Sequence, residues 1–547
     1  MSKSSSLPRI LFITPEAVFL PNGMENATPD GWAATTAFAA FIPCLIKALY
    51  AQGVDVHVAL PHYRCTFKSV RKIELNPEDS RLPADRVYLA KDRIFYYANP
   101  VGANDKWKNT RIALALQREV INQILPRVQP DIIHCHDWMS GLIPAMSRNL
   151  GIPCLFTVQN IETVKSSLAD IEGLGIDAAA FWQSLFYDRF PGTYEQTRET
   201  NPLDLLLSGI LAADLVDVAS PNLLGEIIEG PIGLAQAPLK RVLAEKWEAG
   251  GIVGVLTSPN PSYNPLTDKH LHCNYGPGDH RAGKQANKRW LQKACGLVPD
   301  DNAALLFWPP CLAPDREGWL MIAEGFLEAL AGLRNQPLQI VFAADGEFKT
   351  RLEGVARRHR IDNRVAIGHV EDHFVRRAYA ASDFMLMPSH GNSNWLPPMI
   401  GLVYGSVPLV YAPRGIHDNV VNLNVYTSKG NGFLFRTLDT HGLQEIIKHV
   451  LRFYHLTPKV KERQIVRTMM QSLSAFNHQV CAQKYIDLYA AMLVRPLIKP
   501  QEIQPLGLPP KGPHGSSDFA TISDVVARRI RSHPARDEEP QPQSIVR

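Results

Sequence analysis

The chain has 547 residues, of which 45% are hydrophobic and 20% are charged. This composition is typical of a globular protein of several domains and excludes a wholly disordered or fibrous chain. The formal charge of +4 is small for this length, so neither a nucleic-acid partner nor a membrane surface is expected. The scattered cysteines and the lack of a long apolar run lead us to expect a soluble cytoplasmic protein with free thiols and no metal site.

Short apolar runs alternate with longer amphipathic stretches along both halves of the chain. Strand, helix and strand in this order predict parallel βαβ units, and therefore a doubly wound α/β sheet in each half. The predicted strands cover residues 9–14, 54–61, 130–138, 152–160, 304–308, 338–346, 383–389 and 407–412. We therefore expect two Rossmann-like domains with a cleft between them.

Two breaks in this pattern divide the chain. Residues 258–280 are polar, rich in proline and without period, which predicts a linker between an N-terminal domain (1–257) and a C-terminal domain (281–482). The tail over 496–547 holds nine prolines and few large apolar groups, which predicts disorder. Its amphipathic stretch FATISDVVARRIRS could fold on a protein partner, although a solvated tail is the simpler interpretation.

The run HCHDW places His134, His136 and Asp137 at the end of a predicted strand. His-x-His with a nearby carboxylate occurs in metal sites, but Asp137 follows His136 directly, so the two side chains cannot easily reach one ion. Open α/β sheets bind their ligands at strand ends, and we favour a ligand site here. A polar plug at the end of the strand is equally consistent with these residues.

Gly346, in the run ADGE, lies between a predicted strand and a predicted helix. A glycine at such a turn lets backbone amides approach a phosphate, although a plain turn is equally consistent. The patterns GxGxxG, GxxxxGK[ST] and GxSxG are absent, which argues against a dinucleotide oxidoreductase, a P-loop NTPase and a serine hydrolase. Residues 283–297 predict an amphipathic helix with Trp290 and Leu291 facing a core and the basic residues in solvent.

A set of motifs in matching order resembles the bacterial glycogen synthase and plant starch synthase family. The run GKQANKRWLQKACGL is similar to the family's GK-x-x-NK-x-x-LQ helix. The run MPSHGNSNWLPPMIGLVYGSVPLV is similar to the family's PSRFEPCGL segment and the YGTVP that follows it. Further matching runs, within a resemblance that spans roughly residues 9–493, are ILFITPEA, QGVDVHVALPHY, HDW, FTVQN, GILAADLVDVASP and GVLTSPNPSYNPLTD.

This resemblance implies the GT-B fold, in which two Rossmann-like domains with parallel sheets face each other across a cleft. It also implies a last helix over 483–495 that returns to the N-terminal domain. The implied reaction moves glucose, with retention of anomeric configuration, from ADP-glucose to the non-reducing end of an α-1,4-glucan. The implied partners are therefore a nucleotide sugar and an α-glucan, and no cofactor or metal ion is required.

The resemblance also assigns positions in the site, several of them with a changed residue. Asn392 stands where the family has glutamate, and Gln159 stands where it has histidine. Arg316 is the nearest substitute for a family lysine, and Cys311 replaces a family arginine. The positions expected to bind the nucleotide sugar are Asp137, Asn160, Gly346, His369 and Leu396.

These substitutions leave two main interpretations of function. The chain is either a working glycosyltransferase with altered donor recognition, or a catalytically silent relative that binds a glucan or another protein. Loss of one preorganised group that stabilises developing charge lowers the rate by about 10²–10³, so several losses should weaken the family reaction strongly. A third interpretation, a metallohydrolase around the HCHDW run, finds no second cluster of ligands in the sequence.

Overall fold

The computed structural model contains two parallel β-sheets, each with helices on both faces. This architecture confirms the α/β class with two doubly wound sheets. The predicted partner-binding stretch and the tail after residue 498 lie outside the described residues. The structure describes residues 7–15, 37–63, 82–97, 106–159, 161–218, 224–225, 227–228, 236–310, 316–333, 336–388, 396–412 and 417–498.

The first sheet is built from the N-terminal half of the chain. The strands of this half are β1 (Arg9–Ile13), β2 (Asp55–Pro61), β3 (Val87–Ala90), β4 (Ile132–His136), β5 (Cys154–Val158), β6 (Lys165–Ser166), β7 (Leu203–Asp204), β8 (Leu215–Val218) and β9 (Ile252–Gly254). Strands β6 and β7 form a separate antiparallel pair. The other seven are parallel in the order β3-β2-β1-β4-β5-β8-β9, and their inner strands are almost entirely buried, as a sheet between two helical layers requires.

Helices cover both faces of the first sheet. The α-helices of at least five residues in the described part of this half are α1 (Ala37–Ala51), α2 (Arg93–Tyr97), α3 (Lys106–Glu119), α4 (Ile143–Asn149), α5 (Leu168–Gly173), α6 (Tyr194–Thr200), α7 (Leu205–Ala212) and α8 (Ala237–Glu248). Helix α7 packs so closely on β5 that a Cβ added at Gly209 would lie 2.4 Å from the ring of Phe156. Gly209 is therefore the residue that permits this helix to reach the sheet.

The second sheet repeats the same design in the C-terminal half. Its strands are β10 (Ala304–Trp308), β11 (Leu338–Ala343), β12 (Val365–Gly368), β13 (Phe384–Met387), β14 (Val407–Tyr411) and β15 (Phe433–Phe435). All are parallel, in the order β12-β11-β10-β13-β14-β15. The strand order reverses between β1 and β4 in the first sheet and between β10 and β13 in the second. Such a reversal opens a crevice beyond the carboxyl ends of the strands, where open sheets bind ligands.

One helix of the C-terminal half returns to the first sheet. The helices here are α9 (His280–Ala294), α10 (Arg316–Ala331), α11 (Gly346–His359), α12 (Asp372–Ala381), α13 (Leu396–Val403), α14 (Thr440–Tyr454), α15 (Pro458–Ala475) and α16 (His478–Leu493). Tyr485 and Tyr489 of α16 are buried in one core with β1, β2 and α1. The helix begins several residues earlier than the expected 483–495 and ends at Leu493.

Helix α9 differs from the expectation that its basic residues face solvent. Lys284 and Lys288 are buried, with 7% and 4% exposure. The ammonium group of Lys284 donates to the carbonyls of Ala380 and Tyr404, at 3.1 and 3.0 Å, and burial lowers its pKa to about 7. The prediction of a solvated basic face was wrong at these positions because the long side chains satisfy carbonyls inside the second domain. Leu291 does face a core, as predicted.

The expected linker packs against the second domain. Residues 258–279 contain no helix or strand, but Tyr275 is fully buried and its hydroxyl donates to the carbonyl of Tyr404 at 2.8 Å. Within the same segment, Asp268 pairs with the guanidinium of Arg376 at 3.3 Å, and both side chains are buried. The proline-rich composition therefore belongs to an irregular segment with fixed packing.

The start of the predicted tail needs a correction. Leu497 is 1% exposed and lies in the core formed by α1, α16 and the first sheet, with Ile498 packed against it. Leu497 and Ile498, which were expected to belong to the tail, therefore pack against the folded body. The folded body extends at least to Ile498.

The six described cysteines, Cys44, Cys135, Cys154, Cys273, Cys295 and Cys481, are free thiols. Cys135 and Cys154 lie on neighbouring strands with their sulfur atoms 3.7 Å apart. None of the described helices is both long enough and apolar enough to cross a membrane.

Candidate functional site

Asp137 lies directly after β4, beside the reversal of strand order in the first sheet. Its backbone has φ 53° and ψ −175°, a conformation that costs energy for any residue with a side chain. Its Oδ1 atom accepts a hydrogen bond from the backbone amide of Gln159 at 2.7 Å. The Asp137 carboxylate therefore ties the end of β4 to the end of β5.

Gln159 is the second predicted site residue at this edge. The residue is only 2% exposed, and its Nε2 atom has no hydrogen-bond partner among the described residues. A buried amide donor without a partner costs about 1–3 kcal/mol, so such groups call for a ligand, an ion or a water molecule. Asn160, the next predicted position, lies outside the described residues.

His134 and His136 are part of the packing of the first sheet. The Nδ1 atom of His134 is hydrogen-bonded to the hydroxyl of Tyr489, and its Nε2 atom to the hydroxyl of Thr157, both at 2.7 Å. His136 is bonded through Nδ1 to the carbonyl of Ile13 at 3.3 Å, and burial lowers its pKa to about 4. The interpretation of His134 as a polar plug therefore fits its contacts. No group of three or more metal-binding side chains occurs within the described part of the chain.

A buried carboxylate that the sequence did not single out, Asp217, lies close to His134, since both are hydrogen-bonded to Thr157. Asp217, on β8, accepts hydrogen bonds from Thr157 at 3.1 Å, from Tyr485 at 2.7 Å and from the amide of Val255 at 2.9 Å. Burial raises its pKa to about 6 despite these bonds. The signal in the sequence was an aspartate inside the apolar strand LVDV. These hydrogen bonds join α16 to β5 and β8 of the first sheet.

At the carboxyl edge of the second sheet, Asp345, the residue before Gly346, contacts His369. Gly346 opens α11 with φ 62°, and a Cβ added there would meet no atom within 4 Å, so the backbone conformation rather than space favours glycine. The carboxylate of Asp345 accepts from Nδ1 of His369 at 2.8 Å and from the amide of Val370 at 2.9 Å. Asp345 thus joins the ends of β11 and β12, a role that sequence reasoning did not assign.

The remaining predicted residues are described only in part. Arg316 is the first residue of α10, and its side chain lies outside the description. Asn392 and Cys311 also lie outside the described residues. Leu396 opens α13 and packs against the core of the first domain as well as the core of the second. Leu396 therefore contacts both sheets' cores, while Asp137 with Gln159 and Gly346 with His369 form one group at each carboxyl edge.

The protein resembles glucan synthases along most of its length. The family model of the starch synthase catalytic domain matches residues 9–241. The chain is 27% identical over 503 residues to a glycogen synthase of Syntrophotalea carbinolica, covering 84% of this chain and 96% of that protein. It is 29% identical over 493 residues to glycogen synthase 2 of Geobacter sulfurreducens, with coverages of 84% and 96%.

Solved structures show the same fold at lower identity. The catalytic domain of starch synthase IV from Arabidopsis thaliana, bound to ADP and acarbose, matches with a TM-score of 0.68 and 20% identity, covering 90% of this chain and 100% of that one. Sucrose-phosphate synthase from Thermosynechococcus elongatus matches with a TM-score of 0.54 and 16% identity, with coverages of 89% and 99%.

Proposed function

Because the chain belongs to the glycogen and starch synthase family and has its GT-B fold, we propose that it binds a nucleotide sugar and an α-glucan in the cleft. We further propose that it transfers glucose between them much more slowly than a synthase with the family's full set of site residues. The proposal of ligand binding rests on the fold and on the buried side chain of Gln159. The proposal of slow transfer rests on the neutral residues that stand where the family has charged or ionisable ones.

The buried side-chain amide of Gln159 is the strongest support for ligand binding. Its buried Nε2 atom, which has no hydrogen-bond partner in the described part of the chain, lies at the carboxyl edge of β5, and the backbone amide of Gln159 donates to Asp137. A donor placed there can hydrogen-bond a sugar hydroxyl, which supports ligand binding. A neutral carboxamide neither carries charge nor exchanges a proton near neutral pH, unlike the histidine that the family has at this position.

The rate should fall because three charged or ionisable groups of the family are changed. They stand at Gln159, Cys311 and Asn392 in this chain. Each such loss lowers a rate by about 10²–10³, but groups that act together are strongly non-additive. We therefore expect transfer at least about 10³-fold slower than in an intact synthase.

The N-terminal turn of α11 in the second sheet leads us to expect weak affinity for the nucleotide sugar. The N-terminus of α11 is a favourable place for a phosphate group. Here the carboxylate of Asp345 already lies at that turn, in contact with His369 and the amide of Val370. A second anion would meet this negative charge, so a diphosphate should bind less tightly than at a helix end without a neighbouring carboxylate.

The test measures binding and transfer separately on the full-length protein. Calorimetry with ADP-glucose, UDP-glucose and maltoheptaose should give weak but measurable binding of a nucleotide sugar and of the glucan. Transfer of labelled glucose to glycogen should be at least about 10³-fold below that of an intact synthase assayed alongside. Turnover at the usual enzyme rates of roughly 1–10³ per second would disprove the slow-transfer part.

Single substitutions refine this test. Gln159→His should raise transfer by less than about tenfold, since Cys311 and Asn392 are still changed. The matched control is Gln479→His, the same change at an exposed position of α16. If neither a nucleotide sugar nor maltoheptaose binds the wild-type protein, the proposed function is wrong.

A further inference from the structure

An open groove runs between the first turns of α3 and the segment from Thr163 to Leu174. Its volume is about 510 Å³, within the range of 300–1,000 Å³ that is usual for small-molecule sites. Its lining includes Trp107, Arg111, Thr163, Lys165, Asp170 and Gly173. We call it the Trp107 groove.

The most unusual feature of the Trp107 groove is an exposed aromatic ring held by a cation. Trp107 is 69% exposed, although tryptophan is among the side chains that gain most from burial. The guanidinium of Arg111, one helical turn further along α3, lies 4.7 Å from the centre of its ring. No ion pair of Arg111 occurs within the described ranges. The indole is therefore held in place by a side chain that still has hydrogen-bond donors to offer.

The other walls combine an apolar floor with polar groups whose charges balance. Leu114, Val164 and Leu174 form the floor. At the rim, Lys165 pairs with Asp188 at 2.7 Å, and Asp170 accepts from the hydroxyl of Ser167 at 2.7 Å. The Asp170 carboxylate offsets the charge of Arg111, so the groove presents hydrogen-bonding groups without a net positive charge.

The Trp107 groove shares an edge of the first sheet with the candidate site. Helix α3 follows β3 and leads back to the parallel strand β4, so its first turn lies at the carboxyl edge of the sheet. Thr163 comes four residues after Gln159, beyond the end of β5. A ligand chain that extends from Gln159 along this edge would therefore enter the groove.

We propose that the Trp107 groove binds a stretch of α-glucan and holds it beside the cleft. A glucose unit has an apolar C–H face, which suits the exposed indole and the apolar floor. Its hydroxyls suit the guanidinium of Arg111 and the polar groups of the rim. The choice of glucan rests on the proposed function, and the contacts of the groove rest on the geometry alone.

A phosphate-bearing ligand fits the same walls less well. Such ligands are usually bound by clustered cations or by helix N-termini whose amides are directed at the anion. In this groove Lys165 is already paired with Asp188, and the carboxylate of Asp170 would repel an anion near Arg111. A neutral polyhydroxylated chain meets neither obstacle.

The experiment measures retention of the full-length protein on glycogen in native affinity gels, and its affinity for maltoheptaose by calorimetry, without nucleotide sugar. Trp107→Ala should weaken binding by at least about tenfold, as truncation of a central aromatic contact usually does. Trp107→Tyr, which keeps an aromatic ring, should stay within about threefold of the wild type. The control is Tyr426→Ala, which removes an exposed aromatic ring (95% exposed) from the second domain and should leave binding unchanged.

A second variant tests the groove by filling it. A Cβ added at Gly173 meets no atom within 4 Å, so Gly173→Phe introduces a ring at the groove without a clash at its base. It should weaken glucan binding as much as Trp107→Ala while the melting temperature stays close to that of the wild type. Wild-type binding in both variants would overturn the proposal, and so would a loss of ADP-glucose affinity with maltoheptaose binding intact. Because no transfer is measured, slow or absent catalysis leaves this result unaffected.

Discussion

The Oδ1 atom of Asp137 accepts a hydrogen bond from the backbone amide of Gln159 across 2.7 Å, which joins the ends of two neighbouring parallel strands. Asp137 makes this contact from a strained backbone conformation with φ 53° and ψ −175°. A strained residue that is held by a specific hydrogen bond at a strand end is typical of functional sites. The position of Gln159 in the candidate site therefore depends on the side chain of Asp137.

Replacing Asp137 tests this dependence. In Asp137→Ala the acceptor is lost while the strained backbone remains, so the free energy of unfolding should fall by about 2 kcal/mol. Asp137→Asn keeps an acceptor oxygen at the same place, and should lose less than about 1 kcal/mol. Urea unfolding of the three proteins measures both differences. Equal stability of the Ala and Asn variants would show that the hydrogen bond contributes little.

Lys288 provides a test of the buried basic residues in α9. Its ammonium group donates to Asp383 at 2.7 Å and to the hydroxyl of Tyr454 at 3.1 Å. Removal of one partner of a buried ion pair typically lowers stability by 3–5 kcal/mol, so we expect about that loss in Lys288→Ala. Lys293→Ala on the same helix, where the lysine is exposed, should change stability by less than about 0.5 kcal/mol. Thermal unfolding of the pair measures the contrast, and similar losses would contradict the buried role.

Asp217 should give the stability a distinctive dependence on pH. Burial raises its pKa from the ordinary 3.8 to about 6 in the folded chain. Between these values the folded chain keeps a proton that the unfolded chain has released, so this contribution to stability is lost as the pH rises through 6. Asp217→Asn cannot titrate. The stability of the wild type relative to this variant should therefore fall by about 2 kcal/mol between pH 4 and pH 7.

Urea unfolding of the wild type and Asp217→Asn at pH 4.5, 5.5 and 6.5 measures this difference. The comparison within one pH removes the effects of other titrating groups, because both proteins share them. A difference in stability that stays constant across the series would contradict the raised pKa of the Asp217 carboxyl.

Leu497 should make the folded body end later than residue 495. A chain truncated after Ile498 keeps this buried leucine, and a chain truncated after Arg495 loses it. Full burial of a leucine is worth about 1.5–3 kcal/mol, so the shorter chain should be less stable by about that amount and melt several degrees lower. Leu497→Ala in the full chain should show a loss of similar size or larger. Equal melting temperatures for the two truncated chains would mean that Leu497 adds nothing.

The second half of the chain shows what could be predicted about the fold. The apolar run ALLFW and the run containing Phe384–Met387 are each short, rich in large apolar residues and followed by turn residues, which identifies buried parallel strands. Local periodicity is enough for this because each buried strand records its environment in consecutive residues. The strand order does not follow from such runs, since neighbours such as β10 and β13 are far apart in the chain.

The contacts within the candidate site could be predicted less well than the strands. Strand ends and turns in the sequence indicated Asp137 and Gly346, and the family resemblance indicated Gln159 as a changed site position. His369 was a further candidate for the cleft. The sequence does not show that Asp345 contacts His369, or that Trp107 and Arg111 face residues from Thr163 to Leu174, and both follow from the three-dimensional structure. The three-dimensional structure also decided that Lys284 and Lys288 are interior residues. The physical reason is that these relationships depend on which carbonyls, carboxylates and rings the chain brings near each side chain, and distances between remote segments leave no periodic pattern in the sequence.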